Sequence, residues 1–110
     1  MTGTIQKNMV LLWENPSPGS DFPAQTVNLD LSGYSSILLI NQHSTSNANR
    51  HSHLIDIDGE YYGCAAQNYA GSWAGRTCKA TSTGVIFDSG FAGTTHNGAA
   101  IPIKIYGIRA

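Results

Sequence analysis

The sequence predicts an all-β domain of β-sandwich type, and two observations support this fold class. About eight short apolar or alternating runs are separated by Gly, Pro, Asn, Asp and Ser, a spacing typical of sandwiches and barrels. Only 12% of the 110 residues are charged, against about 25% in ordinary soluble domains, and solvated helices need Glu, Lys, Arg and Ala. Ser, Thr, Asn and Gln together number 32. We therefore expect one domain over residues 1–110, a β-sandwich of jelly-roll type with about eight strands.

The first half of the chain contains four predicted strands. Asn8–Trp13 is an apolar run that ends at residues 14–20, where two prolines exclude a helix. Gln25–Leu31 alternates apolar and polar residues, as a half-buried strand does. Ser36–Gln42 is apolar on both faces at its centre, which indicates a central strand, and His51–Ile57 is the fourth strand.

The second half contains four more. Asp58-Gly59 is a pair favoured in two-residue hairpin turns and predicts that Glu60–Gln67 returns along the fourth strand. Arg76–Ser82 and Val85–Asp88 are separated by Thr83-Gly84, and Ile101–Ile108 ends the chain. The polar or glycine-rich loops between these strands are predicted at 44–49, 68–75 and 89–100.

Charge and apolar run length argue against two classes of partner. Six basic residues stand against seven acidic ones and are scattered, whereas a nucleic-acid surface needs clustered Lys and Arg. No run approaches the roughly 20 apolar residues of a membrane span, and residues 1–10 lack the features of a signal peptide. We therefore expect Cys64 and Cys78 to be small buried thiols made in a reducing compartment, with a disulfide the less favoured alternative. Two cysteines alone do not form a zinc site.

Two stretches resemble a known family. They are LLWENPSPGSDFPAQTVNLDLSGYSSILLI at Leu11–Ile40, and STGVIF at 82–87 followed by IPIKIYGI at Ile101–Ile108. Together they resemble the C-terminal domain of tail-fibre, receptor-binding and minor tail proteins of phages and prophages from gut Firmicutes. The resemblance covers about half the chain and consists mostly of scaffold residues. It implies host recognition at a tail tip, a homotrimer, and a virion protein made in the bacterial cytoplasm.

Residues in the unmatched middle and in the last loop are the candidates for ligand binding. Trp73 and Tyr69 lie in a glycine-rich loop beside Asn68 and Arg76. Aromatic faces stack on sugar rings while amides and Arg donate to hydroxyls, so this mixture suits carbohydrate recognition. The alternative is that Trp73 plugs one end of the sandwich. Two weaker candidates of the same kind occur in the last loop: His96 and Asn97.

Metal binding and catalysis find weaker support. His51 and His53 would share one side of a strand, and three copies in a trimer would supply six imidazoles to an ion. The simpler interpretation is that they are two polar residues on an exposed strand face. Asp56, Asp58 and Glu60 cluster around the predicted hairpin as paired carboxylates do in glycosidases, but Asp also favours turns for backbone reasons.

These observations lead to a function that is non-enzymatic and needs no cofactor. The expected role is a receptor-binding domain that adheres to a bacterial surface glycan or protein, without nucleic acid and without membrane insertion. The alternative is a purely structural trimerisation or capping module of the tail, and a glycan-degrading enzyme ranks third.

Overall fold

Two antiparallel sheets of four strands each form the fold. The computed structural model describes residues 8–68, 70–92 and 97–109. The first sheet has the strand order β1-β8-β3-β4 and the second the order β2-β7-β6-β5. The strands are β1 (Met9–Glu14), β2 (Gln25–Asn28), β3 (Ser36–Ser44), β4 (Asn47–Asp56), β5 (Tyr62–Gln67), β6 (Trp73–Thr81), β7 (Gly84–Phe87) and β8 (Ala99–Ile108).

The predicted all-β sandwich is confirmed. The chain crosses between the sheets after β1, β2, β4 and β7, while β3–β4, β5–β6 and β6–β7 are hairpins within one sheet. The jelly-roll subtype stays a prediction. Within the described ranges, no helix is long and apolar enough to cross a membrane.

The core lies between the two sheets and is built by period-2 alternation. β3 buries Ile37 and Leu39, and β8 buries the side chains at 101, 103 and 105. Phe22, from the β1–β2 connection, contacts Phe87 edge-on with ring centroids 5.5 Å apart. Cys64 and Cys78 are buried unpaired thiols whose sulfurs lie 3.9 Å apart, as the sequence analysis favoured.

One predicted turn is wrong. Asp58-Gly59 does not close a two-residue hairpin, because β4 belongs to the first sheet and β5 to the second. The segment is instead a crossover, in which the Asp58 carboxylate accepts hydrogen bonds from the Glu60 amide (2.9 Å) and the Tyr62 hydroxyl (2.6 Å). An Asp-Gly pair stabilises a local bend of the backbone, and this bend occurs in a crossover as well as in a hairpin.

The strands are also longer than predicted around two loops. β3 and β4 extend through most of the predicted loop at 44–49, and β6 begins at Trp73 instead of Arg76. Polar and small residues continue these strands because backbone pairing, and not side-chain type, sets where a ladder ends.

The motif residues of the family resemblance pack against one another. The Asn15 side chain donates to the Pro102 carbonyl at 2.9 Å, which ties the end of β1 to β8. A Cβ on Gly107 would lie 2.7 Å from the Tyr34 ring, so only glycine allows that ring to lie on β8. These residues therefore hold the scaffold together.

Gly84 provides a test of the β2–β7 pairing. Its φ is +152°, and a Cβ there would collide with the Val27 carbonyl oxygen of β2. We expect Gly84→Ala to lower the free energy of unfolding by at least about 2 kcal/mol, because backbone strain and a backbone clash add. Gly63→Ala is the matched control, since nothing lies within 4 Å of a Cβ there. Equal denaturant midpoints for the two variants would contradict the β2–β7 register.

Candidate functional site

The loop of the β5–β6 hairpin is shaped by Asn68. Its side-chain oxygen accepts hydrogen bonds from the amides of Ala70 and Ser72, both at 2.9 Å. Gly71 has a φ of +90° and its amide donates to the Asn68 carbonyl at 3.0 Å. Asn68, predicted to bind a ligand, therefore uses its side-chain oxygen to hold the loop that precedes Trp73.

Trp73 is the most prominent side chain at this end of the sandwich. It is 59% exposed and pairs in register with Gln67 at the loop end of the hairpin. Its ring centroid lies 6.2 Å from that of His51, with the planes tilted by 53°. A tryptophan that plugged the sandwich would be buried, so the structure favours the alternative of a surface aromatic.

His51 and His53 lie on the inner side of β4, where the edges of the two sheets meet. They pair in register with Asn41 and Leu39 of β3 and are half-buried, so the expected exposed strand face is wrong. One ring nitrogen, Nε2 of His53, donates to the Ala65 carbonyl of β5 at 2.9 Å. Burial lowers the pKa of His53, the bond to Ala65 opposes this shift, and the neighbouring His51 adds to it.

A three-ligand metal site is not found in this part of the structure. No group of three or more His, Cys, Asp or Glu side chains that could hold an ion occurs among the described residues. His53 also has Nε2 committed to a carbonyl. The expectation of an ion shared by three copies requires a trimer and stays a prediction.

Arg76 is the main correction to the predicted site. It is only 2% exposed, and its five N–H groups point at five backbone carbonyls. Nε donates to Ala100 at 3.1 Å, Nη1 to Phe22 at 2.8 Å and Asp88 at 2.7 Å, and Nη2 to Ala99 at 2.8 Å and, more weakly, to Asn97 at 3.5 Å. No donor is left for a ligand, because guanidinium has five N–H groups in all.

The five acceptors come from β8 of the first sheet and from two connections, whereas Arg76 belongs to β6 of the second sheet. They join β6 to β8, to the β1–β2 connection and to the segment after β7, and none of them is a carboxylate. The Arg76 guanidinium also lies 5.3 Å from the centre of the Phe22 ring. Burial without a negative partner lowers the pKa of Arg76 to about 10. We call this arrangement the Arg76 network: Arg76 with the carbonyls of Phe22, Asp88, Asn97, Ala99 and Ala100.

The structure describes only one of the remaining predicted ligand-binding residues. Tyr69 and His96 lie outside the described residues. Asn97 contributes its backbone carbonyl, which accepts from the Phe22 amide at 2.7 Å and from Arg76. Sequence reasoning missed Asn41 and His43, which are both buried on β3. The alternation Ile37, Leu39, Asn41 would have indicated Asn41, whereas His43 lies within the β3–β4 register shift between Gln42 and Ser44, where alternation no longer applies.

The acidic cluster lacks the features of a general acid. Hydrogen bonds from Tyr62 and from the Glu60 amide lower the pKa of Asp58, whereas a catalytic acid needs a raised one. The same contact raises the pKa of Tyr62 to about 12. Asp56 and Glu60 are exposed and do not share a hairpin. The three residues form a turn held by Asp58.

The Arg76 network yields a stability prediction. We expect Arg76→Met to lower the melting temperature by more than about 10 °C, because several buried carbonyls lose their donors at about 1–3 kcal/mol each. Lys79→Met, three residues along the same strand, removes only a contact to the exposed Tyr61 ring, and should cost less than about 1 kcal/mol. Thermal melts of both variants make the comparison. Similar losses in both would contradict the structural role of Arg76.

His53 yields a pH prediction. Its folded-state pKa lies below the ordinary value of 6.5, so the unfolded chain binds the proton more readily than the folded one. Stability should be constant above about pH 7 and fall as the pH drops through 6.5. His53→Gln keeps a side-chain N–H that can donate to Ala65 but cannot titrate, so stability should decrease less as the pH drops. Urea midpoints over this pH range measure it, and an unchanged slope in the variant would assign the acid sensitivity to other groups.

Comparison with known proteins gives no indication of a function, so a function has to be inferred from the residues described above. No protein-family model matches the chain, and neither a curated protein nor a solved structure is significantly similar to it.

Proposed function

We propose that this domain is a non-enzymatic receptor-binding domain of a bacteriophage tail fibre. It adheres to a glycan or protein on the bacterial surface, and it reaches the virion from the bacterial cytoplasm. The observation that carries this proposal is the exposed Trp73 at the end of the sandwich, directly after a loop shaped by Asn68. Loops at one end of a rigid sandwich are where such domains place their binding residues.

The division of the chain into scaffold and site supports the same proposal. Asn15, Tyr34 and Gly107, which belong to the motifs of the tail-fibre resemblance, are occupied in holding the end of β1 and the β2–β3 connection against β8. Trp73 lies in the stretch that the resemblance does not cover. A rigid scaffold that presents an exposed aromatic outside its packing motifs is an arrangement that suits host recognition.

The chemistry near Trp73 suits a neutral ligand. Few charged residues are present in the chain, and Arg76, the one cation predicted for the ligand site, is buried. An exposed indole offers an apolar face of the kind on which a sugar ring stacks. The carboxylates that a glycan-degrading enzyme would use are at the turn held by Asp58. We therefore favour binding over hydrolysis.

A second candidate function rests on the outer face of the first sheet. Register pairs Leu11 and Leu38 with Tyr106, and Leu38 with Leu54, so these side chains share one face. Leu54 is 65% exposed. The apolar members of this outer face are Met9, Leu11, Leu38, Ile40, Leu54, Tyr106 and Ile108. A surface of this kind fits contacts between copies in a homotrimer, and it would serve a purely structural trimerisation or capping module equally well.

Assembly is tested by light scattering after gel filtration. We expect about three times the chain mass of 11.7 kDa, and we expect Leu54→Ser to shift the protein toward monomer by removing apolar contact area. Tyr61→Ser, at an exposed position away from the outer face, is the control and should leave the mass unchanged. A wild-type monomer at micromolar concentration would count against a trimeric tail tip.

Adhesion is tested with a fluorescent copy of the domain and a panel of gut bacterial cells. If Trp73 is an anchor, Trp73→Ala should weaken binding about 30-fold, equivalent to roughly 2 kcal/mol. The melting temperature should change little because the ring is mostly exposed. Tyr61→Ala is the matched aromatic control. Full adhesion by Trp73→Ala would remove this site, and a trimer that binds no cell in the panel would favour the structural alternative.

A further inference from the structure

The inner face of the first sheet becomes polar at the end near Trp73. Asn41 and His51 are direct partners across β3 and β4, and His43 follows Asn41 by two residues on β3. Asn41 is 1% exposed and His43 9% exposed. We call these three residues the polar end. Directly opposed residues have Cβ atoms about 4.5–5.5 Å apart, so Asn41 and His51 are side-chain neighbours.

Five side-chain atoms of the polar end have no hydrogen-bond partner among the described residues. They are Oδ1 and Nδ2 of Asn41, Nδ1 and Nε2 of His43, and Nδ1 of His51. The great majority of buried polar atoms in folded proteins are paired, and leaving one unpaired is unfavourable. Five such atoms within the polar end therefore point to a bound molecule as their partner.

Backbone irregularities converge on the same place. The β3–β4 register shifts between Gln42 and Ser44, and the β3–β8 register shifts between Ile40 and Asn41. Ala100, on β8, has a φ of +49°, a conformation that is uncommon for a residue other than glycine. Bulges and strained backbone are concentrated at functional sites, where they aim side chains away from the regular sheet pattern.

The donor set of the polar end indicates the ligand class. An amide and imidazoles present both donors and acceptors without a net charge, the combination that pairs with hydroxyl groups. A metal ion fits less well, because no group of three His, Cys, Asp or Glu able to hold one is found in the described ranges.

We propose that the polar end and Trp73 form one saccharide site, in which Trp73 stacks on a sugar ring while Asn41, His43 and His51 bind its hydroxyls. The Trp73 ring centroid lies 6.2 Å from that of His51, which places the exposed indole beside the polar end. The proposal rests on the receptor-binding function and adds to it the ligand class and three contact residues.

The decisive variant is Asn41→Leu, which replaces the buried amide with an apolar side chain of similar size. Removing unpaired polar atoms from the interior should leave the melting temperature unchanged or raise it, while adhesion to bacterial cells should fall at least about 10-fold. Asn28→Leu, at an exposed position of β2, is the matched control and should retain adhesion. Equal adhesion by wild type and Asn41→Leu would overturn the saccharide site without affecting the receptor-binding proposal.

A second measurement uses wild-type protein and does not depend on the folding of a variant. The imidazole nitrogen signals of His43 and His51 are followed by NMR during titration with glucose, galactose, rhamnose and N-acetylglucosamine, with glycerol as the control. We expect at least one sugar to shift both imidazoles, and glycerol to shift neither. Shifts without cell adhesion would support the site and contradict its role in host recognition. Unchanged imidazoles with all four sugars would overturn the site.

Discussion

The fold depends most on the buried guanidinium of Arg76. A cation in the interior without a carboxylate is unfavourable unless every donor is satisfied, and here backbone carbonyls of β8 and of two connections satisfy them. The same bonds place the β1–β2 connection, the segment after β7 and the start of β8 around one point. The end of the sandwich that carries Trp73 is therefore built around a polar interaction, while the opposite end is built around apolar packing.

This division of the interior connects stability to function. The apolar part, from Ile37 and Leu39 to Val85 and Ile105, is closely packed by alternating strands. The end near Arg76 contains small residues such as Ala74 and Ala99, together with Asn41 and His43. Small residues contribute little to stability, and unpaired buried polar atoms reduce it. The apolar part can supply the stability that the binding end lacks, so the binding end can retain groups suited to a ligand.

Much of the fold could be predicted from sequence because period-2 alternation and turn residues are local signals. Val27 and Ile101–Ile105 show that alternation, and Thr83-Gly84 marked the β6–β7 hairpin. The Asp58-Gly59 turn was misassigned because a bend is local, while the choice between hairpin and crossover depends on which sheet has an edge available. The site was harder to predict. Arg76 resembled a surface donor because its acceptors are backbone carbonyls distant in sequence, which leave no trace in side-chain identity. Trp73 was found because a large aromatic in a polar loop is visible without a structure.

Amide hydrogen exchange in an Arg76→Lys variant tests most directly whether this one side chain organises the binding end. We expect protection to fall for the amides of Phe22 and Phe91, whose hydrogen bonds lie near the Arg76 network. Protection should persist for the amides of Leu31 and Gly59, which bond to carbonyls at the other end of the sandwich, those of Ser82 and Ala80. Lysine keeps the charge but cannot reach five carbonyls in a planar fork. A uniform loss of protection across both ends, or no loss at all, would contradict the claim that Arg76 organises the binding end.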